Sequence, residues 1–177
     1  MVDKKLGGAG LRGQSAGSTA LCTVGVSGTG LTYRGYDITD LAENTCFEEV
    51  AYLIFHGHLP SQQELDAYRN VLMANRELPS TLLEVLERIP ASAHPMDVMR
   101  TGCSMLGNLE PEGDFEHQQR TADRLLGALP GIINYWYRFS HGGVRIDTAT
   151  DEPSLAAHFL RTLSGESPNE LHQQVMD

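Results

Sequence analysis

Residues 31–60, LTYRGYDITDLAENTCFEEVAYLIFHGHLP, decide the fold. The stretch begins extended and ends between two helices. Thr45-Cys-Phe-Glu48 fits a capping box, a hydroxyl followed three residues later by a carboxylate, and predicts a helix over about 45–56. Phe47, Val50, Ala51 and Ile54 follow at helical spacing and predict one apolar stripe. Gly57 stands where a helix ends in a left-handed residue. Leu59-Pro60 forbids continuation, and Ser61-Gln-Gln-Glu64 opens the next helix with a second capping box.

Upstream, the texture is different. Residues 20–26 are β-prone, Ser27-Gly-Thr-Gly30 signals a turn, and residues 31–34 form the return strand of a small hairpin. Before it, residues 1–18 are rich in Gly, Ser and Lys and are expected to form a flexible arm.

Downstream, the signals are helical. A helix over about 62–76 places Leu65, Tyr68 and Leu72 on one face. A short helix from Pro79-Ser80 carries Leu82, Leu83, Leu86 and Ile89 and stops at Pro90. His94-Pro95 introduces a helix over about 96–109, with Met99, Cys103 and Leu106 as its apolar line. Gly102, Ser104 and Gly107 would let a neighbouring helix approach closely. Residues 109–116 are expected to be an exposed loop. The longest periodic segment, 116–140, carries Leu125, Leu129, Ile132 and Trp136 and is apolar on more than one side. Pro130 inside it predicts a kink. Leu155, Phe159, Leu160 and Leu163 mark a helix stopped by Gly165. Ser167-Pro-Asn-Glu170 then opens a last helix with Ser167 as cap, placing Leu171 and Val175 on one face. That helix is cut short at Asp177, so residues 19–177 are expected to be an incomplete large domain. The fold class predicted is all-α with a small N-terminal hairpin.

The composition is that of a globular chain, 41% hydrophobic and 20% charged, and long enough to bury a core. A formal charge of −10 argues against a nucleic-acid partner. The start lacks an apolar secretory core, and no run approaches a membrane span. Cys22, Cys46 and Cys103 have no CxxC spacing. The odd count fits reduced thiols and a cytoplasmic location.

No catalytic constellation emerges from the residues themselves. His56 and His58 flank Gly57 at a helix end, where cationic histidine is favourable, and no third ligand has metal-site spacing. His94 is expected to cap the helix that follows it. Arg34 lies beside Asp37 and Asp40 and predicts a local ion pair, while Arg69, Arg76 and Arg100 are expected to be solvated or paired on helices. Cys22 and Cys46 lack an activating pattern and are expected to pack as small hydrophobes. The glycine-rich segments have no phosphate-loop pattern.

Several motifs together resemble the N-terminal part of the citrate synthase family. They are Tyr33-Arg-Gly-Tyr-Asp-Ile38, Phe47-Glu-Glu-Val-Ala51, Gly57-His-Leu-Pro60 and His94-Pro-Met-Asp-Val-Met-Arg-Thr101. Thr19-Ala-Leu-Cys-Thr-Val-Gly25 leans toward the 2-methylcitrate branch of that family. The resemblance implies an all-α homodimer that condenses an acyl-CoA, here propionyl-CoA, with oxaloacetate; citrate synthases use acetyl-CoA instead. It implies a carboxylate that removes the acyl α-proton and two histidines that stabilise the enol and polarise the ketone. These groups, and the substrate-clamping arginines, are expected beyond Asp177, so the 177-residue chain is expected to be inactive alone and to need no metal or other cofactor. The resemblance places a substrate-side residue near Leu72, whose periodicity equally marks it as core. It places a dimer interface on helices 96–109 and 116–140, through Met99, Cys103, Leu106, Leu125, Leu129, Ile132 and Trp136. A non-catalytic helical dimerisation module is the competing reading.

Overall fold

A computed structural model of the chain describes residues 17–24 and 30–177. The expected arm and most of the hairpin turn lie outside the described residues. Among the described residues, three short antiparallel strands come first: β1 Cys22–Val24, β2 Leu31–Tyr33 and β3 Tyr36–Asp37, in the order β1-β2-β3. Cys22 pairs with Tyr33 and Thr32 with Asp37. The third strand is an addition to the expected hairpin. It forms because Arg34 (φ 50°) and Gly35 (φ 93°) turn the chain back at once.

Eight α-helices follow: α1 Ile38–Asn44, α2 Phe47–His56, α3 Gln62–Ala74, α4 Ser80–Glu87, α5 Pro95–Leu109, α6 Gln118–Gly142, α7 Leu155–Ser164 and α8 Glu170–Met176. A 3-10 turn, Phe115–His117, leads into α6. The expected helical fold is therefore observed, with three corrections at the caps and on one face. Thr45 does not cap α2; it ends α1, its hydroxyl donating to Leu41 O at 2.6 Å. Cys46 is the cap, and Glu49 accepts from Cys46 N at 2.8 Å. Ser167 does not cap α8; Asn169 does, accepting from His172 N at 2.9 Å, while Ser167 donates to Glu152. The buried side of α2 carries Leu53 and Glu48, and Phe47 stands outside it, 43% exposed. Gly57 (φ 87°) and the Ser61–Glu64 box end α2 and open α3 as the sequence predicts.

The core is built around α6. Leu78, Leu82, Leu86, Val98, Leu106, Ala128, Ile132, Tyr135 and Trp136 form one buried cluster, and Tyr68, Leu72 and Leu155 a second. Helices α3, α4, α5 and α7 all pack on α6. That explains its apolarity on several sides: its cover comes from this chain. It runs through Pro130 as one helix. A Cβ on Gly102 would lie 2.4 Å from Ile132 Cγ2, so the small residue in α5 serves the approach of α6 within the chain.

Candidate functional site

The polar chemistry of the chain collects where α2, α3 and α7 meet. Glu48 enters this junction because it occupies the first turn of α2 on its inward face; it is 1% exposed. Its Oε1 accepts from the first amide of α7, Leu155 N, at 2.6 Å. Arg76, just beyond α3, is also 1% exposed, which corrects the solvated role expected for it. Its Nη1 donates to Thr150 O and Glu152 O at 2.8 and 2.6 Å, and its Nη2 to Ser154 O at 3.2 Å. One guanidinium thus holds the loop that enters α7. Burial pulls the Arg76 pKa down, opposed by Glu48 and by the acids at 151 and 152. Arg69 lies 3.9 Å from Glu48 and donates to Cys46 Sγ at 3.3 Å. Burial pushes the Cys46 thiol up to about 11, so it is a packed, protonated thiol. His158 is fully buried, with Nδ1 2.9 Å from Thr150 Oγ1. Burial, and then Arg76, hold its pKa down at about 3, so its ring is neutral.

The loop between α6 and α7 is fastened at two further points, Arg145 and Thr148, and Asn134 ties α6 directly to α7. Arg145 grips Glu87 through Nε and Nη2 at 2.7 and 2.8 Å, and Tyr135 OH donates to the same carboxylate at 2.7 Å. The Arg145 and Tyr135 hydrogen bonds hold the Glu87 pKa at about 2. Thr148, buried, accepts from Leu78 N at 3.1 Å. Asn134 of α6 donates to Phe159 O and to Thr162 Oγ1 of α7 at 2.9 and 2.8 Å.

The singled-out residues fall as follows. His94 caps α5, accepting from Met96 N at 3.2 Å. Arg34 makes no pair with Asp37 or Asp40; it donates to Ile54 O from Nε and Nη2 at 3.3 and 2.7 Å, fixing the sheet to the end of α2. Arg100 pairs with Asp97 at 2.9 Å. His56 stacks on Tyr52 with centroids 4.0 Å apart, and His58 pairs with Glu64 at 3.5 Å. Among the described residues no three His, Cys, Asp or Glu side chains converge as a metal site would. Leu72 is 1% exposed and packs with Tyr68 and Leu155, so its side chain is interior. Of the residues expected at an interface, Leu106, Ile132 and Trp136 are buried inside this chain, whereas Met99, Cys103, Leu125 and Leu129 are half-buried. Glu48, Arg76, Asn134, Thr148 and His158 were not foreseen. Only Glu48 had a signal: a carboxylate in a helix whose other positions are nearly all apolar.

This geometry holds helices together, and it contains no paired acid and base facing a substrate-sized opening. The sequence model described as "Citrate synthase, C-terminal domain" matches residues 10–177. The chain belongs to the citrate synthase family. It is 68% identical, over 98% of its length and 46% of the relative's, to a 2-methylcitrate synthase of Shewanella oneidensis. It is 37% identical, over 90% of its length and 42% of the relative's, to 2-methylcitrate synthase 2 of Corynebacterium glutamicum. Citrate synthase from Pyrobaculum aerophilum superposes with a TM-score of 0.79 at 30% identity, over 93% of this chain and 44% of that one. The chain therefore spans less than half the length of these citrate synthase family relatives. No helix among the described residues is long and apolar enough to cross a membrane.

Proposed function

We propose that this chain is scaffold for a 2-methylcitrate synthase, which condenses propionyl-CoA with oxaloacetate in the cytoplasm. The observation that carries this reading is the 68% identity to the Shewanella oneidensis enzyme. Citrate synthase 2 of Bacillus subtilis is 35% identical, which makes acetyl-CoA the weaker choice of acyl donor. The proton-abstracting carboxylate and the two histidines would come from the part of the synthase that this chain does not span, and no metal or cofactor is needed. The buried junction of Glu48, Arg69, Arg76 and His158 suits scaffold rather than chemistry. Leu72, interior in this chain, contributes packing to that scaffold. Two copies of the chain pair through the outward sides of α5 and α6, where Met99, Cys103, Leu125 and Leu129 are half-buried; Leu106, Ile132 and Trp136 are occupied within the chain.

The test is release of free CoA from propionyl-CoA and from acetyl-CoA in the presence of oxaloacetate. The 177-residue chain is expected to give none. The full-length synthase built on it is expected to favour propionyl-CoA. Because one methylene is worth about 1–3 kcal/mol in a pocket, some acetyl-CoA turnover should remain. Turnover by the chain alone overturns the scaffold reading, and a preference for acetyl-CoA overturns the substrate assignment.

A further inference from the structure

The loop that joins α6 to α7, together with α7 itself, encloses a cavity of about 340 Å³. Asp147 and Asp151 reach it from the loop, and Arg161 and Thr162 from α7. A space of this size suits a small molecule. Its charges do not cancel within the protein. Among the described residues Asp147, Asp151 and Arg161 form no ion pair, although all three line the one cavity. Arg161 is half-buried. A partly desolvated cation without a partner is unfavourable, so a ligand that supplies one is favoured.

The loop and the helix hold these groups apart. Asp147 Oδ1 accepts from Ala149 N at 2.8 Å, which leaves its other oxygen for a ligand. Thr148 is tied to Leu78 N, and Arg76 holds Thr150 O and Glu152 O, so the loop is clamped on both sides of the acids. Arg161 stands in the last turn of α7, where Gly165 N closes on Arg161 O at 2.8 Å. The threonine hydroxyls are already spent: Thr150 Oγ1 lies 2.9 Å from His158 Nδ1, and Thr162 donates to His158 O at 2.8 Å. Recognition is left to the charges. A second cation strengthens the α7 end. Arg138 donates to Leu163 O through Nη1, and its Nη2 lies 3.3 Å from where a Cβ on Gly165 would stand. Glu166 is exposed there and pairs with neither arginine.

We propose that this cavity binds a small zwitterion, an amino acid whose carboxylate meets Arg161 and whose ammonium meets Asp147 and Asp151. A simple anion would be repelled by the two acids, and a simple cation by Arg161. A molecule that carries both charges satisfies both ends. Arginine adds geometry, because its two parallel N–H donors match a carboxylate. The site lies away from the pairing sides of α5 and α6 and takes no part in acyl transfer. It therefore stands or falls apart from the scaffold reading.

The experiment is heteronuclear NMR of the isotope-labelled 177-residue chain. It is titrated with glycine, β-alanine and γ-aminobutyrate, which differ in the spacing of their two charges, and with acetate and methylammonium, which carry one charge each. At least one of the amino acids is expected to shift the amides of residues 147–151 and 161–165 along a saturating curve. Acetate and methylammonium are expected to bind at least about tenfold more weakly than that amino acid. Arg161→Gln and Asp151→Asn are each expected to raise its dissociation constant about tenfold. Asp151 is exposed, so Asp151→Asn is expected to leave the rest of the spectrum unchanged. Failure of all three amino acids to saturate these shifts overturns the proposal. Acetate binding as tightly as the amino acids also overturns it, because the acids would then contribute nothing. Affinity indifferent to both substitutions places the ligand elsewhere and overturns it too.

Discussion

Arg76 places a cation in the interior in the field of one carboxylate, Glu48, with the neutral ring of His158 nearby. Removing one member of such a group leaves another uncompensated, which typically costs about 3–5 kcal/mol. Arg76→Ala is expected to fall in that range in urea unfolding, because three carbonyls lose their donor and Glu48 loses a neighbouring charge. A loss below about 1 kcal/mol would show that the junction is solvated rather than buried. His158 makes the same region sensitive to acid. The unfolded chain takes its proton near 6.5, the folded chain only near 3. Between those values the unfolded state holds more protons, so stability falls as pH falls, by up to about 1.4 kcal/mol per unit. Glu64 and Glu87, both lowered to about 2, add their own loss only below about 4.5. From about 6.5 down to about 5.5, above the range where those carboxylates begin to protonate in the unfolded chain, the slope is expected to come chiefly from His158, and His158→Gln is expected to flatten unfolding midpoints measured across that window. An unchanged slope would assign it elsewhere.

Among the elements, α5 and α6 carry the closest approach. A methyl on Gly102 would sit 2.4 Å from Ile132 Cγ2, so Gly102→Ala is expected to destabilise by about 1–3 kcal/mol through overpacking. Leucine lacks that branch methyl. Ile132→Leu in the Gly102→Ala background is therefore expected to recover part of the loss, and a double variant no better than the single would refute the contact. The helices themselves were legible because their signals are local: Gly57, Ser61 with Glu64, Pro95 and Gly165 act within one turn. The caps at Thr45 and Ser167 were misplaced for the same reason. Each stands within two residues of another competent cap; Thr45 is taken up by the end of α1 and Ser167 by Glu152. The face of α6 that meets α5 was legible as apolar, but periodicity does not say whether an apolar residue meets its own chain or another. Leu106, Ile132 and Trp136, which the family resemblance placed at a dimer interface, are buried within this chain. The junction at Arg76 was illegible because its partners lie 74 to 78 residues away and are backbone carbonyls, which leave no trace in side-chain pattern.

For the whole molecule, stability should grade outward from α6. This helix lies against α3, α4, α5 and α7, and most residues of its middle, from Ala128 to Trp136, are buried. At the other extreme, α8 has no buried residue and exposes Leu171 and Val175 by 65% and 80%. Among its ties to the rest of the chain is the hydrogen bond from Phe47 N to Asp177 Oδ1 at 3.2 Å. The three strands are only two or three residues long, and β3 is exposed throughout. A segment with few buried contacts opens locally, without unfolding the rest. Native-state amide hydrogen exchange should therefore rank the chain in three tiers. Amides of α6 and of the facing turns of α4 and α5 should exchange only through global unfolding. Those of α2, α3 and α7 should follow closely while the Arg76 junction is intact, and drop a tier in Arg76→Ala. Those of α8 and the strands should exchange fastest, and deleting residues 167–177 should leave the α6 rates almost unchanged. Protection of α8 equal to that of α6 would mean that its apolar face is covered in solution; if that protection vanished on dilution, the cover would be a second copy of the chain.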